Sequence, residues 1–322
     1  MRDWAKRADK LQDARWHKYE WVGQLELCLM LLDYRAWTLD DDYFVKTALP
    51  AIREYVRYFD EHYGLDASGR YLMTPSQACE TWWDCTNPMP EIAGLHRVVD
   101  RLLALPDKLL ADSDRELFAR IRSRLPDLPT RRLPDGRTVW AAADKYATCR
   151  NGELPELYCV FPFRLCSFEK PNAEQGRATY AVRSKKSYVG WCQDELFAAY
   201  LGMAEEAQKH LVDRVLTNSP KKYRWPAYWG PNYNWMPDQD AGGNIQNILQ
   251  SMLMQCDDGK IYLAPAWPKT WNCSFRLHAP GRTRIEGRIE DGTVKDLVVT
   301  PASRRADVVI ARNFTVPKVR EK

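Results

Sequence analysis

Up to about residue 259 the apolar residues recur at helical spacing, and beyond Asp257-Asp258-Gly259 they change to short, strand-like runs. That change of period restricts the fold more than any other feature of the chain. Trp21, Leu25, Cys28, Leu29 and Leu32 form one helical stripe, and Ile52, Val56 and Phe59 another. Leu95, Val98, Val99 and Leu102 make a third, stopped by Leu105-Pro106-Asp107. A proline-rich connector runs from Leu125-Pro126 to Gly136. Leu196, Ala199, Tyr200 and Met203 mark a later helix, with Leu211, Val212 and Val215 on its partner. Helices alternating with short turns suit helical hairpins closing round an axis. Downstream, Ile261-Tyr262-Leu263, Phe275-Arg276-Leu277, 283–286, 294–300 and 308–310 read as strands, and Asp291-Gly292 as a hairpin turn.

Two stretches carry carboxylates in settings suited to chemistry. In the first, Met73 to Asp84, Glu80 follows a Thr-Pro-Ser turn and precedes Trp82 and Trp83. A carboxyl group among indoles loses hydration, which disfavours its charged form and suits a general acid. Its plainer reading is a turn followed by a tryptophan-anchored helix with Glu80 on the solvated side. In the second, Trp229 to Gln255, the spacing of Ile245, Ile248, Leu249, Met252 and Leu253 predicts a helix from about Gly243 or Asn244. Asp238 and Asp240 lie in the loop feeding that helix, where its dipole favours an anion. Such an aspartate is equally an ordinary helix cap. Two carboxyl groups whose surroundings drive their ionisation apart divide acid and base roles in glycoside hydrolysis.

Several neighbours are candidates for substrate contact. Trp82, Trp83 and Asp84 form a sugar platform or, equally, a core anchor. Asn87 is a ligand contact, Glu91 a helix cap after Pro90, and His96 a core histidine on an apolar stripe. Tyr228, Trp229, Asn232 and Trp235 lie beside the aspartates in a loop rich in Gly and Pro. Gln193 and Asp194 face a cavity or cap a helix. Asp238-Gln239-Asp240 also spells the D-x-D pattern of many glycosyltransferases, without the doubly wound α/β pattern that would support it. The sequence carries no P-loop, no G-x-S-x-G and no G-x-G-x-x-G.

The segment from Gly23 to Glu80, with Asp40–Asp42, Leu49-Pro50 and Tyr71-Leu72-Met73-Thr74-Pro75-Ser76, resembles the middle of the barrel in glycoside hydrolase family 95. Pro75, Ser76 and Glu80 match that family's catalytic-acid motif, with Ala78 and Cys79 in place of its second Ser-Pro. Gly190-Trp191 resembles its Gly-Trp helix start, and Asp240 stands ahead of Met252-Leu253-Met254-Gln255 as the family's catalytic aspartate does. Ile261 to Trp271 resembles its junction into a C-terminal β-domain. Over nearly the whole chain, ETWWDCTNPMPEIAGLH, PELYCVFPFRL, PDQD and LHAPGRT are similar to uncharacterised bacterial relatives with an N-terminal DUF5703 domain.

The resemblance implies a mainly α fold: an incomplete (α/α)6 barrel of the six-hairpin glycosidase kind over residues 1–259, with a small C-terminal β-unit over 260–322. It implies that Met1 falls near mid-barrel, leaving the chain N-terminally truncated and its apolar helix faces open. It implies inverting hydrolysis of an oligo- or polysaccharide, with Glu80 as acid and Asp240 as base, Asp238 being the rival. Trp191 joins Trp82, Trp83, Asn87, Tyr228, Trp229, Asn232 and Trp235 as substrate contacts. The resemblance implies an α-L-fucosidase-like enzyme, family 95 being α-L-fucosidases, but Pro155 to Pro162 lacks the histidines those fucosidases carry before their Leu-Tyr-Pro, which argues against fucose itself. The alternative is a non-catalytic, glycan-binding remnant.

Composition narrows the partners. A net charge of +4 from 47 basic and 43 acidic residues leaves no footprint for nucleic acid. With 13 Trp and 16 Tyr the chain is rich in rings that pack against sugars as well as into cores. Nine scattered cysteines without a C-x-x-C pair read as reduced thiols, not metal ligands. No metal or organic cofactor is called for. The chain has no signal-peptide pattern after Met1 and no run long enough to span a membrane, so as written it is cytoplasmic, while longer relatives are expected to be exported. Oligomeric state and sugar identity are not legible in this sequence.

Overall fold

The structure, a computed structural model, describes residues 16–186, 190–216 and 240–315. The chain runs through α1 (Val22–Thr38), α2 (Asp41–Tyr43), a π-helical turn at Phe44–Ala48 and α3 (Leu49–His62). Next come β1 (Gly64–Leu65), β2 (Tyr71–Leu72), β3 (Ser76–Ala78), β4 (Trp82–Pro88), α4 (Met89–Leu103) and α5 (Asp112–Arg124). The short strands β5 (Thr130–Arg132), β6 (Thr138–Trp140), β7 (Ala143–Lys145) and β8 (Thr148–Cys149) follow. Then come α6 (Ala173–Ala181), α7 (Asp194–Tyr200), α8 (Ala204–Leu216) and α9 (Asp240–Leu253). The chain continues through β9 (Met254–Asp257), β10 (Lys260–Leu263), β11 (Cys273–Ala279), β12 (Thr283–Glu290), β13 (Thr293–Thr300) and β14 (Val308–Ile310).

Two compact units result. The first takes the described residues of Met1–Leu31, Val45–Phe163 and Arg183–Lys185, and the second those of Leu32–Phe44, Arg164–Val182 and Lys186–Lys322. In the first unit, α3 buries Leu49, Ile52, Val56 and Phe59, one face of a helix. Each such side chain contributes about 1.5–3 kcal/mol when fully buried. α4 is buried on nearly every side over Met89–Leu95, and Pro90 sits in its first turn, where a missing N–H costs no helical bond. Gly94 lets α4 press close: a Cβ there would lie 2.8 Å from both Leu25 Cδ1 and Phe163 Cζ.

The expected all-helical run is interrupted by a sheet. β4 pairs with β3, β7 and β8, all antiparallel, so Trp82–Pro88 is a strand and not a tryptophan-anchored helix. Its partners β7 and β8 lie far along the chain, and local periodicity does not register pairing at that distance. The fold is mixed helical and β.

In the second unit the expected strands are all present. β11, β12 and β13 form an antiparallel meander, and β14 runs parallel to β10, which pairs with β9. The β12–β13 turn uses Asp291 at φ 48° and Gly292 at φ 69°, the left-handed pair that matches the twist of a two-residue hairpin. α9 begins at Asp240 rather than at Gly243 or Asn244.

Six of the nine cysteines are buried. No described helix is long and apolar enough to cross a membrane. Along α1, Leu27, Met30, Tyr34 and Trp37 are exposed at helical spacing.

Candidate functional site

The site in the first unit is built on one turn. Ser76 pairs with Cys85 and Ala78 with Trp82, so residues 79–81 join β3 to β4 and place Glu80 in the turn. Cys79 makes this turn at φ 51° with its thiol buried. On the other edge of β4, Trp82 pairs with Cys149 and Trp83 with Thr148. The Arg150 N–H then donates to the Thr81 carbonyl at 2.7 Å. This pairing lays Asn151, Gly152 and Glu153 against the Glu80 turn.

Both carboxylate oxygens of Glu80 have partners. The Asn151 amide donates to Oε2 at 2.6 Å, while its own oxygen accepts the Gly152 N–H at 2.9 Å. His17 Nε2 lies 2.9 Å from Glu80 Oε1, and His17 Nδ1 lies 2.6 Å from Glu20 Oε2. An ionised carboxylate at each ring nitrogen favours the imidazolium, which donates from both. The Thr81 hydroxyl meets Glu153 Oε2 at 2.5 Å.

Burial alone would lower the His17 pKa, but the Glu20 hydrogen bond and the charges of Glu20, Glu80 and Glu153 raise it above the ordinary value. Glu153 is pushed up to about 7, chiefly by burial, opposed by the Thr81 hydrogen bond and helped by the charges of Glu80 and Glu20. Burial also raises Glu20, with His17 opposing and the Glu80 charge adding to it. Behind them, fully buried Glu91 is raised far above its usual range by loss of hydration, although it accepts the Trp21 N–H at 3.2 Å. Glu91 thus lies in the first turn of α4 as an interior group whose carboxylate is turned to the Trp21 N–H. His96 is the structural histidine expected, its Nε2 lying 2.8 Å from the Pro126 carbonyl oxygen.

The two tryptophans after Glu80 part ways. Trp82 packs on the small core of Ala78, Cys85 and Ala143, its ring edge-on to Tyr146 at 4.8 Å. Trp83 stays half-buried beside Glu80: its indole N–H donates to the Glu80 backbone carbonyl at 2.9 Å. Trp16 approaches the Trp83 ring edge-on at 5.5 Å, and the Arg150 guanidinium lies over it at 5.3 Å. The expected shell of indoles is thus replaced at the carboxylate oxygens by an imidazole and an amide. Asn87 is 7% exposed and braces the backbone, accepting the Met73 N–H and donating to Asp144, both at 2.8 Å.

Asp240 and Trp191 belong to the second unit. Asp240 is an exposed residue in the first turn of α9. Half-buried Trp191 lies between two anchored carbonyls: Arg214 donates to Gly190 at 3.1 Å and to Cys192 at 2.6 Å, and Asn244 of α9 donates to Gly190 at 2.6 Å. Arg214 is itself paired with Glu195, both fully buried. Asp194 is buried in the first turn of α7. Asp238, Tyr228, Trp229, Asn232 and Trp235 lie outside the described residues.

His17, Glu20, Asn151 and Glu153 stand out in no sequence pattern. The one local signal is Asn151-Gly152, a turn dipeptide directly ahead of a carboxylate. Among the described residues, no three His, Cys, Asp or Glu groups are arranged to hold a metal ion.

No family model and no curated protein matches the chain. Among solved structures it is similar to one described as "Putative kojibiose phosphorylase from human microbiome", with a TM-score of 0.58 and 10% identity. The match covers 86% of this chain and 46% of that one, so this chain spans about half the length of the protein it resembles. At that identity the likeness is one of fold.

Proposed function

We propose that the chain belongs to an enzyme that cleaves a glycosidic bond in an oligo- or polysaccharide, its helices to residue 259 forming part of an (α/α)6 toroid. Support for carbohydrate chemistry comes from the backbone likeness to the protein described as "Putative kojibiose phosphorylase from human microbiome". The observation that carries the reading is the grip on Glu80: residues from two distant segments hold its two oxygens, and Trp83 is anchored on its own carbonyl. A carboxyl group placed this rigidly beside an aromatic ring suits proton delivery to a leaving oxygen.

In this reading Glu80 gives a proton to the glycosidic oxygen while the bond to the anomeric carbon breaks. Asp240, with Asp238 as rival, takes a proton from the water that attacks the opposite face. Inversion of this kind needs carboxyl groups roughly 6.5–9.5 Å apart across the sugar. No cofactor enters. A second reading follows from the phosphorylase likeness: inorganic phosphate attacks in place of water, and no base is needed to activate it.

A glycan array assayed with and without inorganic phosphate separates these readings. Hydrolysis is lost in Glu80→Gln and in Asp240→Asn; phosphorolysis yields a sugar 1-phosphate and is lost only in Glu80→Gln. Cleavage that survives Glu80→Gln removes the assignment. Binding without cleavage by the unmutated protein identifies a glycan-binding module instead.

A further inference from the structure

We propose that His17, oriented by Glu20, returns a proton to Glu80 in each catalytic cycle; this rests on the reading of Glu80 as the acid. An acid that has protonated its leaving group ends the cycle as a carboxylate and must be recharged. Glu80 has a side chain only 26% exposed, whereas that of His17 is 56% exposed, so the imidazole is the better placed of the two to exchange protons with water. The contact between them is direct, His17 Nε2 to Glu80 Oε1 at 2.9 Å. Glu20 holds Nδ1 at 2.6 Å from the far side, which fixes the ring with Nε2 turned to Glu80.

The steps balance. The His17 Nε2–H proton passes to Glu80 Oε1, and Glu80 passes a proton to the glycosidic oxygen as its bond to carbon breaks and that oxygen keeps the electron pair. Neutral imidazole then takes a proton from solvent at its exposed edge. The charged groups that bear on the ring are Glu20, Glu80 and Glu153, all of which favour the imidazolium. His17 and Glu20 are positioning residues, since they act through Glu80.

The test uses the whole chain with phenyl and 2,4-dinitrophenyl glycosides of a panel of sugars, because phenolate needs a proton to leave and dinitrophenolate does not. His17→Gln is expected to lower kcat on phenyl glycosides on the order of 10- to 100-fold and to leave dinitrophenyl glycosides within about twofold. Glu20→Gln is expected to follow the same pattern more weakly. An NMR titration of the His17 ring, assigned by its loss in His17→Gln, is expected to show a raised pKa that falls in both Glu80→Gln and Glu20→Gln. Equal losses on both substrates, or a His17 titration unmoved by Glu80→Gln, overturn the relay. A protein that needs Glu80 but not His17 loses only the relay, and one whose cleavage survives Glu80→Gln loses the function with it.

Discussion

The Asn151 side chain reaches Glu80 across 71 residues of sequence, donating to Oε2 at 2.6 Å. Because the same amide is fixed by the Gly152 N–H, it has one orientation in which to do so. Asn151→Ala is expected to lower kcat on the order of 10²- to 10³-fold with little change in KM, as loss of one aimed donor does. Asn151→Asp is expected to be worse, because a second negative charge there opposes ionisation of Glu80. Steady-state kinetics on the best array substrate decides this; unchanged kcat in both variants removes Asn151 from the site.

Glu153 makes stability depend on pH in a defined direction. Its pKa is raised from 4.5 to about 7 in the folded chain. Between those values the folded state holds a proton that the unfolded state has released, so stability falls as pH climbs from about 4.5 to about 7 and then levels off. The loss is on the order of 3 kcal/mol at most. Glu153→Gln is expected to flatten that part of the profile in urea melts and to be the more stable protein at pH 8.

These contacts explain which parts of the structure were legible in the sequence. α3, α4 and the strands β10 to β14 announce themselves because their signals are local: a repeating apolar face, or alternation broken by Asp291-Gly292. The site turn does not. Trp82 and Trp83 form a strand because Cys149 and Thr148 pair with them, and Glu80 gains its partners from His17 and Asn151. No periodicity links residues 17, 80 and 151. The sequence marks Glu80 as a candidate, a carboxylate ahead of two indoles, but it leaves Glu153 unmarked because its burial is decided by the same distant pairing.

Arg214 and Glu195 form a fully buried ion pair with hydrogen bonds of 2.7 and 2.9 Å. Arg214→Ala leaves Glu195 charged and buried and also removes the Arg214 hydrogen bonds to the Gly190 and Cys192 carbonyls on either side of Trp191, leaving those carbonyls to Asn244. The expected loss is about 3–5 kcal/mol. Replacing both partners, as Arg214→Met with Glu195→Leu, is expected to recover much of it. Chemical denaturation of the single and double variants checks the non-additivity.

The exposed stripe of Leu27, Met30, Tyr34 and Trp37 on α1 is an apolar surface in contact with water. Concentration-dependent association of this chain is expected through that face. Met30, 66% exposed, is the substitution of choice: Met30→Lys is expected to lower association in sedimentation velocity without shifting the unfolding midpoint. Identical association in the variant moves the contact elsewhere.

The most direct test of the account is the rate at which Glu80→Gln cleaves the glycoside that the unmutated chain cleaves best, measured on protein whose circular dichroism matches the parent. The account predicts a fall of about 10²- to 10⁴-fold, the range expected when a general acid is lost. A Glu80→Gln protein that turns over at the parent rate contradicts it.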